Sequence, residues 1–107
     1  MKSDRDAALV LRREAIAEKT AVDARLFDIH RIACDQFALP EAREAVRRRA
    51  QLQVDRWERG HLCSPRYIAA WKRILGLEPK DFQAEVLRTD AEGVALRQNT
   101  PFGFLAR

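Results

Sequence analysis

Apolar residues recur along this chain at helical spacing, and glycine and proline divide the pattern into segments. Leu11, Ala15, Val22, Leu26, Ile29, Ala33 and Phe37 share one face at 3.6 residues per turn. Leu9, Ile16, Phe27 and Cys34 form an adjacent strip, and Val10 widens the arc further. Arg13, Glu14, Arg25, Asp28, Arg31 and Asp35 fall away from it. Neither glycine nor proline occurs before Pro40, and Ser3 followed by Asp6 has the form of an N-terminal cap. The spacing predicts a first helix of ~36 residues and ~54 Å. It is either continuous or broken near Thr20–Asp23, where β-branched and capping residues cluster.

Leu39-Pro40 marks a boundary, because the residue before proline avoids the helical region while proline suits the first helical position. A second helix is predicted from Pro40 to Arg59, stopped by Gly60, with a thin stripe of Ala42, Val46, Ala50, Val54 and Trp57. Ser64-Pro65 opens a third by the same logic, carrying Tyr67, Ile68, Trp71, Ile74 and Leu75 and ending at Gly76. A fourth covers Pro79 to Leu87, and Thr89-x-x-Glu92 has the capping-box form for a fifth reaching about Gln98. Pro101 bars any helix from continuing through Thr100–Leu105. No strand-like alternation or internal repeat is present.

The expectation is a single all-α domain over 1–107, a compact bundle of four or five helices with a long first helix. The first two helices pair antiparallel about Leu39-Pro40, and the third locks across them through Trp57, Tyr67 and Trp71. The segment 100–107 is either a mobile tail or docks on the domain's own core.

Composition narrows the function without naming it. The chain has 107 residues, 47% hydrophobic and 34% charged, enough for one modest core. No apolar run approaches the ~20 residues of a membrane span, and no signal-like segment follows Met1. Two cysteines cannot build a disulfide framework, so a cytoplasmic location with reduced thiols is the expectation.

The net charge of +4 is unevenly placed. Residues 1–39 carry seven basic and seven acidic side chains, 40–76 nine against four, and 77–107 four against five. A basic middle of this kind attracts nucleic acid or an acidic protein.

Candidate chemistry is sparse. His30 and Cys34 lie one turn apart beside Asp35, but closing a metal site would need His61-x-Cys63 as well, and no metal or cofactor is expected. Glycine-rich phosphate loops and nucleophile elbows are missing from the sequence. Arg25-Leu-Phe-Asp-Ile-His30 resembles the short Arg–His motif of the all-helical HEPN ribonucleases, which implies Arg25 and His30 acting on a scissile phosphate. The motif departs from that pattern in placing Leu26 after the arginine and in lying early in the chain. Five residues apart, the two also diverge by about 140° on an unbroken helix.

The second helix, the Gly60–Cys63 turn and the third helix have the coarse anatomy of a helix-turn-helix. Arg56 stands where such a unit normally carries a small residue. A nucleic-acid surface would draw on Arg43, Arg47, Arg56, Arg59, Arg66 and Arg73.

The first-ranked expectation is non-enzymatic. The arc of the first helix is too wide for a thin-striped neighbour to cover, which points to Leu26, Ile29, Phe102 and Phe104 as partner-binding residues. The protein is then a small regulatory or antitoxin-like factor acting through a protein partner or a second copy, with no role at a membrane. Nucleic-acid binding through the basic middle is the alternative, and a HEPN-like ribonuclease the second alternative.

Overall fold

The computed structural model describes residues 4–106 and bears out the all-helical reading. Five α-helices follow in order: α1 (Asp4–Ala38), α2 (Pro40–Gly60), α3 (Pro65–Leu75), α4 (Pro79–Val86) and α5 (Ala91–Gln98), then a 3-10 turn at Gly103–Leu105. The expected cap at Ser3 lies outside the described residues. α1 is unbroken through Thr20–Asp23 over its 35 residues. The Thr20 hydroxyl donates back to the Ile16 carbonyl at 2.9 Å, so a side chain able to interrupt the helix is absorbed by it.

Proline sets three of the starts. Pro40, Pro65 and Pro79 stand at the first helical positions of α2, α3 and α4, where the missing N–H costs nothing. Ser64 occupies the cap of α3 through its backbone carbonyl, which accepts from the Tyr67 and Ile68 amides; its hydroxyl does not cap. The cap of α5 is one residue later than the Thr89 pattern indicates: Asp90 accepts from the Gly93 amide at 2.9 Å. α2 also runs through Gly60. The left-handed residue that ends it is His61, at φ 53°.

α1 packs on α2, α4 and α5, while α3 bridges α2 and α4. The core gathers Ala33, Cys34 and Phe37 from α1 and Val46, Ala50 and Val54 from α2. It is completed by Ile68, Trp71, Ile74 and Leu75 of α3, Phe82 and Val86 of α4, and Leu96 of α5. Trp71 is fully buried, as the helix-three lock requires; Trp57 and Tyr67 are half-buried at its margin.

The tail is where the structure chooses between the two expectations. Phe102 is fully buried, so its assignment to a partner surface is corrected. It stands edge-on to Trp71, Phe82, His30 and Phe37, with ring centroids 5.7–6.2 Å away. Aromatic burial of this size and geometry outweighs what the tail loses in freedom.

His30 fastens that tail. Its Nδ1–H donates to the Leu26 carbonyl at 2.7 Å, and its Nε2 lies 2.8 Å from the Thr100 hydroxyl. That hydroxyl accepts from the Phe102 amide at 3.0 Å. Trp71 Nε1 adds a bond to the Asn99 carbonyl at 2.7 Å. Thr100–Phe102 thus serves as a plug tied at both ends.

Candidate partner-binding surfaces

All the buried residues of α1 lie in its C-terminal third: His30, Ala33, Cys34 and Phe37. Toward the N-terminus, every residue from Asp4 to Val22 is exposed. This nineteen-residue arm is ~28 Å long and accounts for the elongated dimensions of 60 × 29 × 24 Å. It carries Leu11 at 65% exposure and Ile16 at 60%, with Leu9, Val10 and Val22 also exposed. At its root, Ile29, Ile32 and Leu105 line a groove of about 430 Å³ edged by Arg25, Asp28, Arg31 and Asp35.

The expected partner-binding residues therefore divide. Leu26 and Ile29 are half-buried at the root of the arm, Phe102 is core, and Phe104 is half-buried. Within α1 the exposed large apolar residues, Leu9, Val10, Leu11, Ile16 and Val22, lie further toward the N-terminus than Leu26 and Ile29.

The basic residues divide as well. Arg43 folds inward and donates from Nε to the Phe37 carbonyl at 2.7 Å. Arg47 pairs with Glu44, reaches the Leu77 carbonyl at 3.3 Å and lies over the Phe37 ring. Arg66 pairs with Glu92 at 3.7 Å and Arg73 with Glu85 at 3.5 Å. Of the six expected arginines, Arg56 and Arg59 alone stay exposed without an acidic partner among the described residues.

Two others belong with them. Arg48 and Arg49 are also exposed and have no carboxylate partner among the described residues, so α2 carries an outward ridge of Arg48, Arg49, Arg56 and Arg59 around exposed Leu52. The acids of α2 are engaged elsewhere: Glu44 with Arg47, Glu58 with Lys72, and Asp55 with Gln51. Glu41 and Asp55, seven residues before and seven after Arg48, lie on the ridge's side.

Arg25 and His30 do not form a joint site. Arg25 is exposed, whereas His30 is fully buried between Trp71 and Phe102. Burial pushes the imidazole down to about 4 despite the raising effect of the Leu26 bond, with Arg97 adding to the lowering. It is neutral near pH 7 and serves as a hydrogen-bonded core residue. The Cys34 thiol is pushed up to about 12, by burial first and Asp35 second, and is a packing group rather than a nucleophile. Among the described residues no three His, Cys, Asp or Glu side chains converge on a metal position. No described helix is long and apolar enough to cross a membrane.

Comparison of the chain with protein-family models, with curated proteins and with solved structures finds no match in any of the three.

Proposed function

We propose that the protein is a small partner-binding module whose α1 arm pairs side by side with the arm of a second copy, in parallel. The observation that carries this reading is the exposure of all nineteen residues from Asp4 to Val22. A helix of that length without tertiary contacts is marginal in water, and packing of an apolar face is what normally sustains it.

The charge pattern supports both the partner and its direction. Ala8, Leu11, Ala15 and Val22 follow the 3–4 spacing of a coiled-coil seam. Glu14 lies along one edge of that seam and Arg5, Arg12 and Lys19 along the other. Two parallel copies set the acidic edge of each against the basic edge of its partner, with Glu14 meeting Lys19 five residues on. An antiparallel pair would set Arg12 against Lys19. The arm carries four acids and four bases, so its copies do not repel overall. Glu18 falls within the seam, where like charges meet, and keeps the association moderate. Reversible association of this kind suits an accessory or regulatory protein.

Sedimentation equilibrium at micromolar concentration tests the proposal. A monomer–dimer equilibrium is expected, weakened severalfold by Lys19→Glu or Glu14→Lys and recovered in the double exchange. Glu18→Leu should tighten it. A chain that stays monomeric at every concentration, with no response to Glu18→Leu, overturns the reading.

A further inference from the structure

We infer that the outward ridge of α2 is a binding site for the sugar–phosphate backbone of a single-stranded nucleic acid, and that the cleft beside it receives a base. This surface is separate from the α1 arm and stands on different residues.

Four guanidinium groups occupy the ridge and no lysine does. Arg48 to Arg59 spans about 16 Å along the helix axis, a length over which a nucleic-acid strand presents several phosphates. The arginines flank Leu52 at helical spacing, all exposed. Neither Arg48 nor Arg59 forms a hydrogen bond or ion pair among the described residues, and Arg56 reaches only Gln53, at 3.5 Å. Elsewhere Arg31, Arg47, Arg66, Lys72, Arg73 and Arg88 are each matched to a carboxylate. The ridge gathers four arginines that have no carboxylate partner among the described residues onto one face of a single helix, whereas other exposed cations without one, such as Arg12, Arg13, Lys19, Arg25 and Lys80, lie on α1 and α4. Guanidinium forks bind phosphate with two parallel hydrogen bonds, which gives this ridge a preferred ligand class.

The adjoining cleft selects a single strand within that class. The Arg49 guanidinium carbon lies 4.3 Å from the Phe104 ring centroid, which fixes the guanidinium over an aromatic face. The Phe104 ring is itself held 6.1 Å from buried Phe102. Beside this pair opens a cavity of about 430 Å³ lined by Gln53, Arg56, Thr100 and Pro101 as well as Arg49 and Phe104. A guanidinium plane or an aromatic ring is the platform on which an unpaired base stacks, and Gln53 offers both a donor and an acceptor to its edge. An acidic protein would match the charge but leave the stacking platform unused. A duplex would meet the ridge but keep its bases out of the cleft.

Fluorescence polarisation of the full chain with labelled 20-nucleotide single strands, across a salt series from 50 to 300 mM, tests this; the lengths and salts are of the order used to read counterion release. Four phosphate contacts predict a slope of log K against log salt near −2.8, at about 0.7 per contact for single strands. Arg49→Gln with Arg56→Gln should halve that slope and weaken binding at least tenfold. Arg48→Gln with Arg59→Gln should likewise halve it, and the four exchanges together should abolish it. Arg66→Gln and Arg73→Gln, whose parent side chains are engaged with Glu92 and Glu85, should leave it unchanged. All these side chains are exposed, so circular dichroism melting should report intact folding. Phe104→Leu should lower single-strand affinity fivefold or more at unchanged slope. Absence of binding at 50 mM salt overturns the inference. So does a duplex bound as tightly as the single strand with no response to Phe104→Leu, or a ridge that binds polyglutamate while ignoring oligonucleotides.

Discussion

Lowering the pH from 7.5 to 5 should remove about 2 kcal/mol of stability, and His30 should be the residue responsible. In the folded chain its imidazole is held at about 4, against an ordinary value of 6.5. Between those values the unfolded chain binds a proton that the folded chain refuses. Stability from this group is therefore fully present above pH 6.5 and is lost as the pH falls toward 4. The full difference is about 3 kcal/mol, of which about 2 kcal/mol is already lost at pH 5.

The cause is local. His30 is fully buried with its ring 5.9 Å from Trp71, and its Nδ1–H is committed to the Leu26 carbonyl. In that tautomer Nε2 is the acceptor for the Thr100 hydroxyl, which in turn accepts from the Phe102 amide. A proton on Nε2 would turn that acceptor into a donor and place a charge in the core near Arg97. Urea titrations at the two pH values should show the midpoint falling by about 1 M at pH 5, given typical slopes for a domain of this size. His30→Gln lowers absolute stability but should flatten the pH dependence, and that flattening is the readout. Exposed His61 is present in both proteins and cancels in the comparison. A wild type equally stable at both pH values, or a His30→Gln protein with the same loss, would refute the argument.

Two further outcomes follow from the core. Gly93→Ala should destabilise by about 1–3 kcal/mol in chemical denaturation, although alanine is normally the better helix former, because its Cβ would lie 2.2 Å from the Arg88 carbonyl oxygen; a neutral or stabilising result would mean that this contact relaxes freely. Phe102→Ala should cost about 3–5 kcal/mol, since a fully buried ring leaves a cavity among five aromatic neighbours; a loss under about 1 kcal/mol in the same assay would return the tail to the surface.

The helical architecture was legible because its punctuation is local. Each proline at a first helical position fixes a start through its own ring, whatever lies elsewhere in the chain. The continuity of α1 was less legible. Its arm buries nothing, so no packing pattern marks it, and only the bond from Thr20 to Ile16 shows how a helix-weakening residue is accommodated. The tail was illegible for the opposite reason. Phe102 is held by residues some 20 to 70 positions earlier in the chain, and no periodicity within Thr100–Leu105 reports them.

The arginines are the instructive case, because the sequence does carry a signal that separates them. Arg43 and Arg47, like Arg56 and Arg59, are about one turn apart, and that relation is blind to which way the two residues face. The seven-residue relation is not blind. Arg43 stands seven before Ala50 and Arg47 seven before Val54, and both of those are fully buried. Seven residues bring a helix back to nearly the same face, so Arg43 and Arg47 lie against the core, where Arg43 bonds the Phe37 carbonyl and Arg47 the Leu77 carbonyl. Arg49 and Arg56 are likewise seven apart, but they share a side with exposed Leu52. Position relative to the buried stripe, rather than charge density along the chain, separates an arginine that supports this fold from one free to meet a ligand. By that criterion Arg48, Arg49, Arg56 and Arg59 are the arginines of α2 that stand clear of the core.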